Sequence, residues 1–342
     1  MTRRSPDAAP RTALITGVSG QDGMFMARRL LRDGWQVVGT VRPGISSLAR
    51  MAPYLEGVEI VEHDLLDAAG FDELVVRHSP DVVTNFAGFS SVGRSWNDAD
   101  LVLRTNATTV VAMVESLLRY RDKNARDVRF LQASSAEMFG PDASGALDES
   151  APHRPRTPYA IAKSAAHHTV GAYREKHGLL GSTAILFNHE SPFRGQQFVA
   201  GRIARLAAQT ALGIPARLDL GDLDVERDWG AAADFVDAMA AAVLHEQADD
   251  YVLATGTTHT LRDMLTVAGA AAGVDDLVDR VDLSAHLWSS IQAPALLGDA
   301  TRAREQLGWQ PQTSFEDLVT DMVRVDLERL RSGVDESADY LR

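Results

Sequence analysis

The chain has 342 residues, a formal net charge of −13 and no cysteine. Such a length makes one large or two modest domains with a sizeable core, and the acidic total argues against non-specific nucleic-acid or anionic-membrane binding. The missing cysteines exclude a disulfide framework, a thiolate nucleophile and a Cys-type zinc site; with a polar Met1–Pro10 and no run of about 18 apolar residues, a soluble cytoplasmic protein is expected.

The first element is a short apolar strand, Thr12 to Thr16, of the type buried on both faces of a parallel sheet. Gly17, Gly20 and Gly23 follow at G-x-x-G-x-x-G spacing and open a helix with Met26, Leu30 and Leu31 on its apolar face and Gly34 closing it. Strand, glycine turn and helix together predict a dinucleotide site: one glycine for the tight turn, one for close approach of backbone N–H groups to a pyrophosphate, one for helix–strand packing. The second strand ends in Thr40, Val41 and Arg42 rather than in a carboxylate. A cation there suits a ribose 2′-phosphate, hence NADP, although an arginine at a strand end also serves as a solvated charge.

A loop over 43–53 leads to a strand, Val58 to Val61, ending in His63, Asp64 and Leu65. The Asp64 carboxylate either accepts from an adenine amino group or caps the next turn. A strand from Asp81 to Asn85 reaches the small residues Ala87 and Gly88, and apolar spacing predicts a helix from Ala99 to Tyr120. The strand Arg129 to Ala133 delivers Ser134, Ser135 and Glu137 to its end, and a helix from Pro158 to His177 begins with Tyr159. A strand from Ser182 to Phe187 runs into NHESPFRG. Beyond it are expected helices at 198–212, 231–244, 261–272, 301–307 and 315–331, and strands at 217–220 and 251–254. The fold class is therefore α/β, a Rossmann-type doubly wound parallel sheet over 11–187, with a smaller, mainly substrate-binding C-terminal domain over 188–335; some later segments return to the sheet.

Tyr159 and Lys163 form Y-A-I-A-K, one helical turn apart and on one face. A phenol is a poor base at neutral pH, and an ammonium beside it favours the phenolate, which suits removal of a hydroxyl proton during hydride abstraction. Glu137 separates mechanisms. Simple oxidoreductases of this design need the serine hydroxyl and the Tyr/Lys pair, whereas a carboxylate two residues beyond Ser135 can act as acid or base on a neighbouring carbon, which points to elimination. Arg194, Arg202, Arg205 and Arg227 could fork onto a diphosphate. His189 and Glu190 do not make a metal-ligand set, and no metal is expected.

The stretches ALITGVSGQDG, FLQASSAEMFG, PYAIAK, ILFNHESPFRG, LDLGDLDVERDWG, YVLATGTTHTLRDM and LLGDATRAREQLGW span almost the whole chain. It resembles the extended short-chain dehydrogenase/reductases, and within them the GDP-mannose 4,6-dehydratase family. The resemblance implies hydride abstraction at carbon 4 of a nucleotide-bound hexose, loss of water across carbons 5 and 6, and hydride return to carbon 6. In that scheme Ser135, Glu137, Tyr159 and Lys163 are catalytic, with Ser135 standing where the family usually has threonine. Gly17, Gly20, Gln21, Asp22, Gly23, Arg42, Asp64, Leu65, Phe86, Ala87, Tyr159 and Lys163 would contact NADP. Ser90, Ser135, Glu137, Asn188, Val199, Arg202 and Arg227 would contact the nucleotide sugar.

Departures from the family pattern are also visible. The family's diphosphate-clamping arginine and a glutamate at the nucleoside ribose fall at Ser289 and Gln292, and its two basic residues in S-P-R-R-G become Phe193 and Arg194. A lost charge-assisted contact is worth roughly 1.5–3 kcal/mol, so a dehydratase for another sugar nucleotide, such as a GDP-heptose, and a sugar-nucleotide epimerase or 4-ketoreductase are the alternatives. A homodimer or homotetramer is expected; the 43–53 loop lacks the family's second arginine beside Arg42.

Overall fold

In the computed structural model, which describes residues 10–141, 143–284 and 295–341, the first half alternates strand and helix. β1 (Thr12–Thr16) leads to α1 (Gln21–Arg32), β2 (Gln36–Val41), a short α2 (Ser47–Met51), β3 (Val58–Glu62), α3 (Ala68–His78) and β4 (Val82–Asn85). Then come α4 (Ala99–Leu103), α5 (Thr109–Asn124), β5 (Arg129–Ala133), a two-residue β6 (Ala146–Leu147), α6 (Pro158–His177) and β7 (Gly181–Leu186). The second half contains β8 (Asn188–Glu190), α7 (Val199–Ala211), β9 (Leu218–Leu220), β10 (Glu226–Ala231), α8 (Ala232–Leu244) and β11 (Asp250–Leu253). It closes with β12 (Thr258–Thr260), α9 (Leu261–Ala272), β13 (Val281–Leu283), β14 (Leu297–Gly298), α10 (Thr301–Leu307) and α11 (Phe315–Ser332).

Seven strands form one parallel sheet in the order β11-β7-β5-β4-β1-β2-β3. The chain winds outward from β1 to β3 and restarts on the other side at β4, so the crevice that such a sheet offers a ligand lies beyond the carboxyl ends of β1 and β4. Alternation along the strands sorts the core into two layers. Ala13, Ile15 and Val37 face α1 and α8, with Met26, Leu30, Phe235 and Met239. Leu14, Val38 and Val83 face α3, α5 and α6, with Phe71, Val110, Val114 and Val170. A separate core joins α7, α9 and α11 through Ile203, Leu206, Trp229, Leu265 and Met322.

Several features depart from the sequence expectation. The loop expected over 43–53 contains the helix α2, Ser47–Met51. The helix expected over Ala99 to Tyr120 is interrupted by a π-turn, Arg104–Thr108, between α4 and α5. The helix α3 lies where the pattern gave none, because its buried apolar residues number only Phe71, Leu74 and Val75. A second, three-stranded sheet of order β12-β10-β8 is built from strands of three to six residues, too short to read by periodicity. The stretch Ala99–Asn124 is long and apolar enough to cross a membrane by length and composition, yet its α5 part buries Val110, Val114 and Leu117 between α3 and α6.

Candidate active site

The glycine turn divides its three tasks as the spacing requires. Gly17 has φ +73°, and a Cβ there would meet Ala87 backbone at 2.8 Å; a Cβ on Gly23 would meet the Gly17 carbonyl at 2.4 Å. Both positions exclude a side chain. Gly20, the residue that caps α1, is exposed, a Cβ on it would meet only the Gly17 carbonyl at 3.3 Å, and as a glycine it brings no side chain to cap the first turn of α1. The first N–H groups and the positive end of the helix form an anion cradle, which fits a dinucleotide pyrophosphate.

At the carboxyl end of the sheet lies a cavity of about 370 Å³ whose wall includes Ser135, Glu137, Tyr159 and Lys163. Ser135 lies two residues past β5 and caps the single turn Ala136–Phe139, its hydroxyl accepting from the Glu137 N–H at 3.3 Å. This turn carries the Glu137 carboxyl toward the cavity. Tyr159 stands in the first turn of α6, whose start is fixed by Thr157, which accepts from the Ala160 N–H at 3.1 Å, and by Pro158 at the first helical position. The Ser135 hydroxyl hydrogen-bonds the Tyr159 phenol.

The electrostatics of the pair differ from the sequence expectation. Burial pushes the Tyr159 phenol up to about 12, with the Ser135 hydrogen bond opposing it. Lys163 does not hold the phenol: its ammonium donates to the Ala133 carbonyl at 2.7 Å and lies 5.8 Å from the Tyr159 ring centre. Burial brings Lys163 down to about 8, against the pull of Asp22. Glu137 is pushed above the usual carboxylate range by burial, and Arg227 opposes this; Arg227 in turn is held down by burial and supported by Glu137.

The strand β8 brings a second motif to the glycine turn. Gln21 donates to the His189 carbonyl at 3.2 Å and accepts from the Ser191 hydroxyl at 2.7 Å. The Asp22 carboxylate lies 3.1 Å from His189 Nε2, whose ring stacks on Phe235 at 5.2 Å. Burial raises Asp22, but His189 outweighs it and carries the carboxyl down to about 2; burial lowers His189, but Asp22 outweighs that and raises it. Arg194 lies 2.8 Å from Glu190, a charge contact without hydrogen-bond alignment, and its guanidinium covers the Phe198 ring at 3.6 Å. His189 and Arg194 both line the cavity.

A family model described as GDP-mannose 4,6 dehydratase matches residues 14–322. The chain belongs to the GDP-mannose 4,6-dehydratase family. It is 36% identical over 330 residues to GDP-mannose 4,6 dehydratase 1 of Arabidopsis thaliana, covering 93% of this chain and 90% of that one. It is 34% identical over 349 residues to GDP-mannose 4,6-dehydratase of Sinorhizobium fredii, covering 94% and 98%. Among solved structures, DesIV, a dTDP-glucose 4,6-dehydratase from Streptomyces venezuelae with NAD and TYD bound, aligns with TM-score 0.81 at 22% identity over 96% of this chain and 99% of that one. RMD from Pseudomonas aeruginosa, complexed with NADPH, aligns with TM-score 0.76 at 22% identity over 93% and 100%. These two share the Rossmann-type parallel-sheet fold of this chain.

Within this family member, the cavity wall takes in Asp22, Phe86, Ser90, Ser135, Glu137, Tyr159, Lys163, Asn188 and Val199 from the candidates read in the sequence. Gly17, Gly20, Gln21, Gly23 and Ala87 form the adjoining turn. Arg42 is exposed beyond β2, and Asp64 and Leu65 follow β3, where the Asp64 carboxylate accepts from the Leu66 N–H at 3.0 Å. Arg227 sits on β10 facing Glu137 rather than on the cavity wall. Arg202 stands apart, its guanidinium donating to the Asp219 carbonyl at 2.6 Å on β9. Ser289 and Gln292 lie outside the described residues. The sequence pattern offered Arg194 as a diphosphate ligand and His189 only as a rejected metal ligand; the signal for His189 at the glycine turn was its place inside NHESPFRG.

Proposed function

We propose that this chain converts GDP-mannose to GDP-4-keto-6-deoxymannose, using NADP. The reading rests on family membership, and the single observation that carries the mechanism is the Glu137 carboxyl in the same cavity wall as Ser135, Tyr159 and Lys163. A bound nicotinamide supplies the acceptor for hydride from carbon 4 and its later return to carbon 6. Tyr159, hydrogen-bonded to Ser135, receives the proton of the carbon-4 hydroxyl. The ketone so formed acidifies the proton on carbon 5, which Glu137 removes and passes to the carbon-6 hydroxyl so that it leaves as water; when hydride returns to carbon 6, the proton held by Tyr159 goes to carbon 5. Lys163, fixed on the Ala133 carbonyl, keeps positive charge beside the phenol. The cradle at Gly20 holds the pyrophosphate of the dinucleotide, and Arg42 meets the 2′-phosphate. Asn188 and Arg227 hold the sugar diphosphate, with the segments after residue 188 closing mainly over the substrate. The active unit is a homodimer or homotetramer.

The test is incubation with GDP-mannose and a catalytic amount of NADP⁺. A product lighter by one water and no net gain or loss of NADPH are expected. Stoichiometric NADPH consumption, or a product of unchanged mass, overturns the reading, because an epimerase or ketoreductase has no task for Glu137. A parallel titration with NAD⁺ decides the dinucleotide, and the Arg42→Glu variant should lose the preference for NADP⁺.

A further inference from the structure

Three polar side chains lie buried side by side at the carboxyl ends of β1, β4 and β5. Thr16, Asn85 and Gln132 are each no more than 2% exposed. Such groups are costly unless satisfied, and here they satisfy one another in a single line. The Ala87 N–H donates to the Thr16 hydroxyl at 3.2 Å, and that hydroxyl donates to Asn85 Oδ1 at 2.6 Å. Asn85 Nδ2 donates to Gln132 Oε1 at 2.8 Å, and Gln132 Nε2 donates to the Ala133 carbonyl at 2.8 Å. The same carbonyl receives Lys163 Nζ at 2.7 Å.

The direction of this line is not free. It begins at a backbone N–H, which can only donate, and ends at a backbone carbonyl, which can only accept, so both amide orientations and the hydroxyl hydrogen between them are fixed. Its two ends meet different machinery. Ala87 is the residue against which Gly17 has no room for a Cβ, at 2.8 Å, so the first donor borders the glycine turn. The last acceptor, Ala133, lies one residue past the register of β4, which ends opposite Gln132 at Asn85. Its carbonyl is therefore shared between Gln132 and Lys163.

We propose that Gln132 is a positioning residue for Lys163: with Asn85 and Thr16 it forms a one-directional buried chain that fixes the shared Ala133 carbonyl and couples the glycine turn to the catalytic pair. This rests on the assignment of Lys163 to the reaction made above. Hydrogen bonds aligned in this way polarise one another, and the positive end of the Gln132 amide dipole points at the atom that holds the ammonium. The chain thus holds Lys163 in place while disfavouring its charge. The other charged or titratable groups acting on Lys163 are Asp22 from α1, itself paired with His189, and Tyr159 on its own helix.

The chain contains three lysines, Lys123, Lys163 and Lys176, and the other two are exposed. Lysine side-chain NMR of the protein without ligands therefore reads the Lys163 titration directly. In Gln132→Leu the titration of Lys163 should move up by about half a pH unit, because the opposing dipole is gone. In Thr16→Val, which keeps the shape and removes the hydroxyl, it should move the same way by less. The turnover of Gln132→Leu should fall about ten-fold at neutral pH, with KM for GDP-mannose little changed. A Lys163 titration that stays put in both variants, even with a lower melting temperature, reduces the chain to packing and overturns the proposal; so does a shift in Gln132→Leu with none in Thr16→Val. If Lys163→Ala retains full turnover, the assignment of Lys163 fails on its own, and the NMR titration still reports on the chain.

Discussion

Replacing Glu137 with glutamine tests the elimination step with little change of shape. The carboxyl is partly enclosed beside Ser135 and is pushed above its ordinary range by burial, with Arg227 opposing. General-base catalysis by a positioned side chain contributes about a hundred- to ten-thousand-fold, or about 3–5 kcal/mol of transition-state stabilisation. Dehydration by Glu137→Gln should fall by that factor, while hydride abstraction at carbon 4 survives. The assay is therefore two-part: mass spectrometry for water loss, and the absorbance of reduced nicotinamide, which should accumulate once because its hydride has no carbon 6 acceptor to return to. Stability should not fall. An acid whose folded-state pKa is raised makes the folded protein less stable at pH values above its unfolded value, and an uncharged glutamine removes that term. Water loss within about ten-fold of the parent rate would refute the assignment, since that is below what a general base contributes.

Gly23→Ala should destabilise by about 1–3 kcal/mol in urea unfolding, since its Cβ meets the Gly17 carbonyl at 2.4 Å, whereas Gly20→Ala should leave stability nearly intact and weaken dinucleotide binding in a thermal-shift titration. The Asp22–His189 pair gives a pH signature. Asp22, held down to about 2, contributes stability above its unfolded pKa that is lost as pH falls through 2. His189, raised above 6.5, contributes stability below its unfolded pKa that is lost as pH rises through the folded one. A decline in melting temperature above neutral pH should thus be present in the parent and absent in Asp22→Asn. Glu336, side chain 6% exposed, ties Tyr54, Arg50 and Arg329 at 2.7–2.8 Å and docks the C-terminal segment on α2 and the turn that follows it. Glu336→Ala should cost about 3 kcal/mol in urea unfolding.

What was legible in the sequence was what depends on local spacing. The glycine turn, Ser135 and Glu137 at the end of β5, and Tyr159 and Lys163 on one face of α6 all follow from distances of a few residues. His189 was not legible, because its role at the site comes from Asp22 and Gln21, with which it makes contacts 167 and 168 residues apart. The state of the Tyr/Lys pair was misjudged for a similar reason. Proximity along a helix suggested an ammonium on the phenol, but Lys163 is committed to a carbonyl of β5, a strand that no local pattern ties to α6. Burial then decides the direction of the Tyr159 shift.

The two groups proposed as proton acceptors sit in different surroundings, and Arg227 acts on one of them. Both Tyr159 and Glu137 are raised by burial; Arg227 opposes the rise at Glu137, whereas at Tyr159 the Ser135 hydrogen bond and Arg194 oppose it and the Glu137 charge adds to it. Two proton transfers in sequence call for two acceptors in different surroundings. Removing the cation should bring them together. In Arg227→Met the carboxyl of Glu137 loses its counter-charge, so its pKa moves further up and the acid limb of turnover shifts to higher pH. The substrate diphosphate also loses a contact, so KM for GDP-mannose rises. The two effects separate in a pH profile measured at saturating substrate. A raised KM with an unmoved acid limb would make Arg227 a diphosphate ligand only, with no hold on the Glu137 proton.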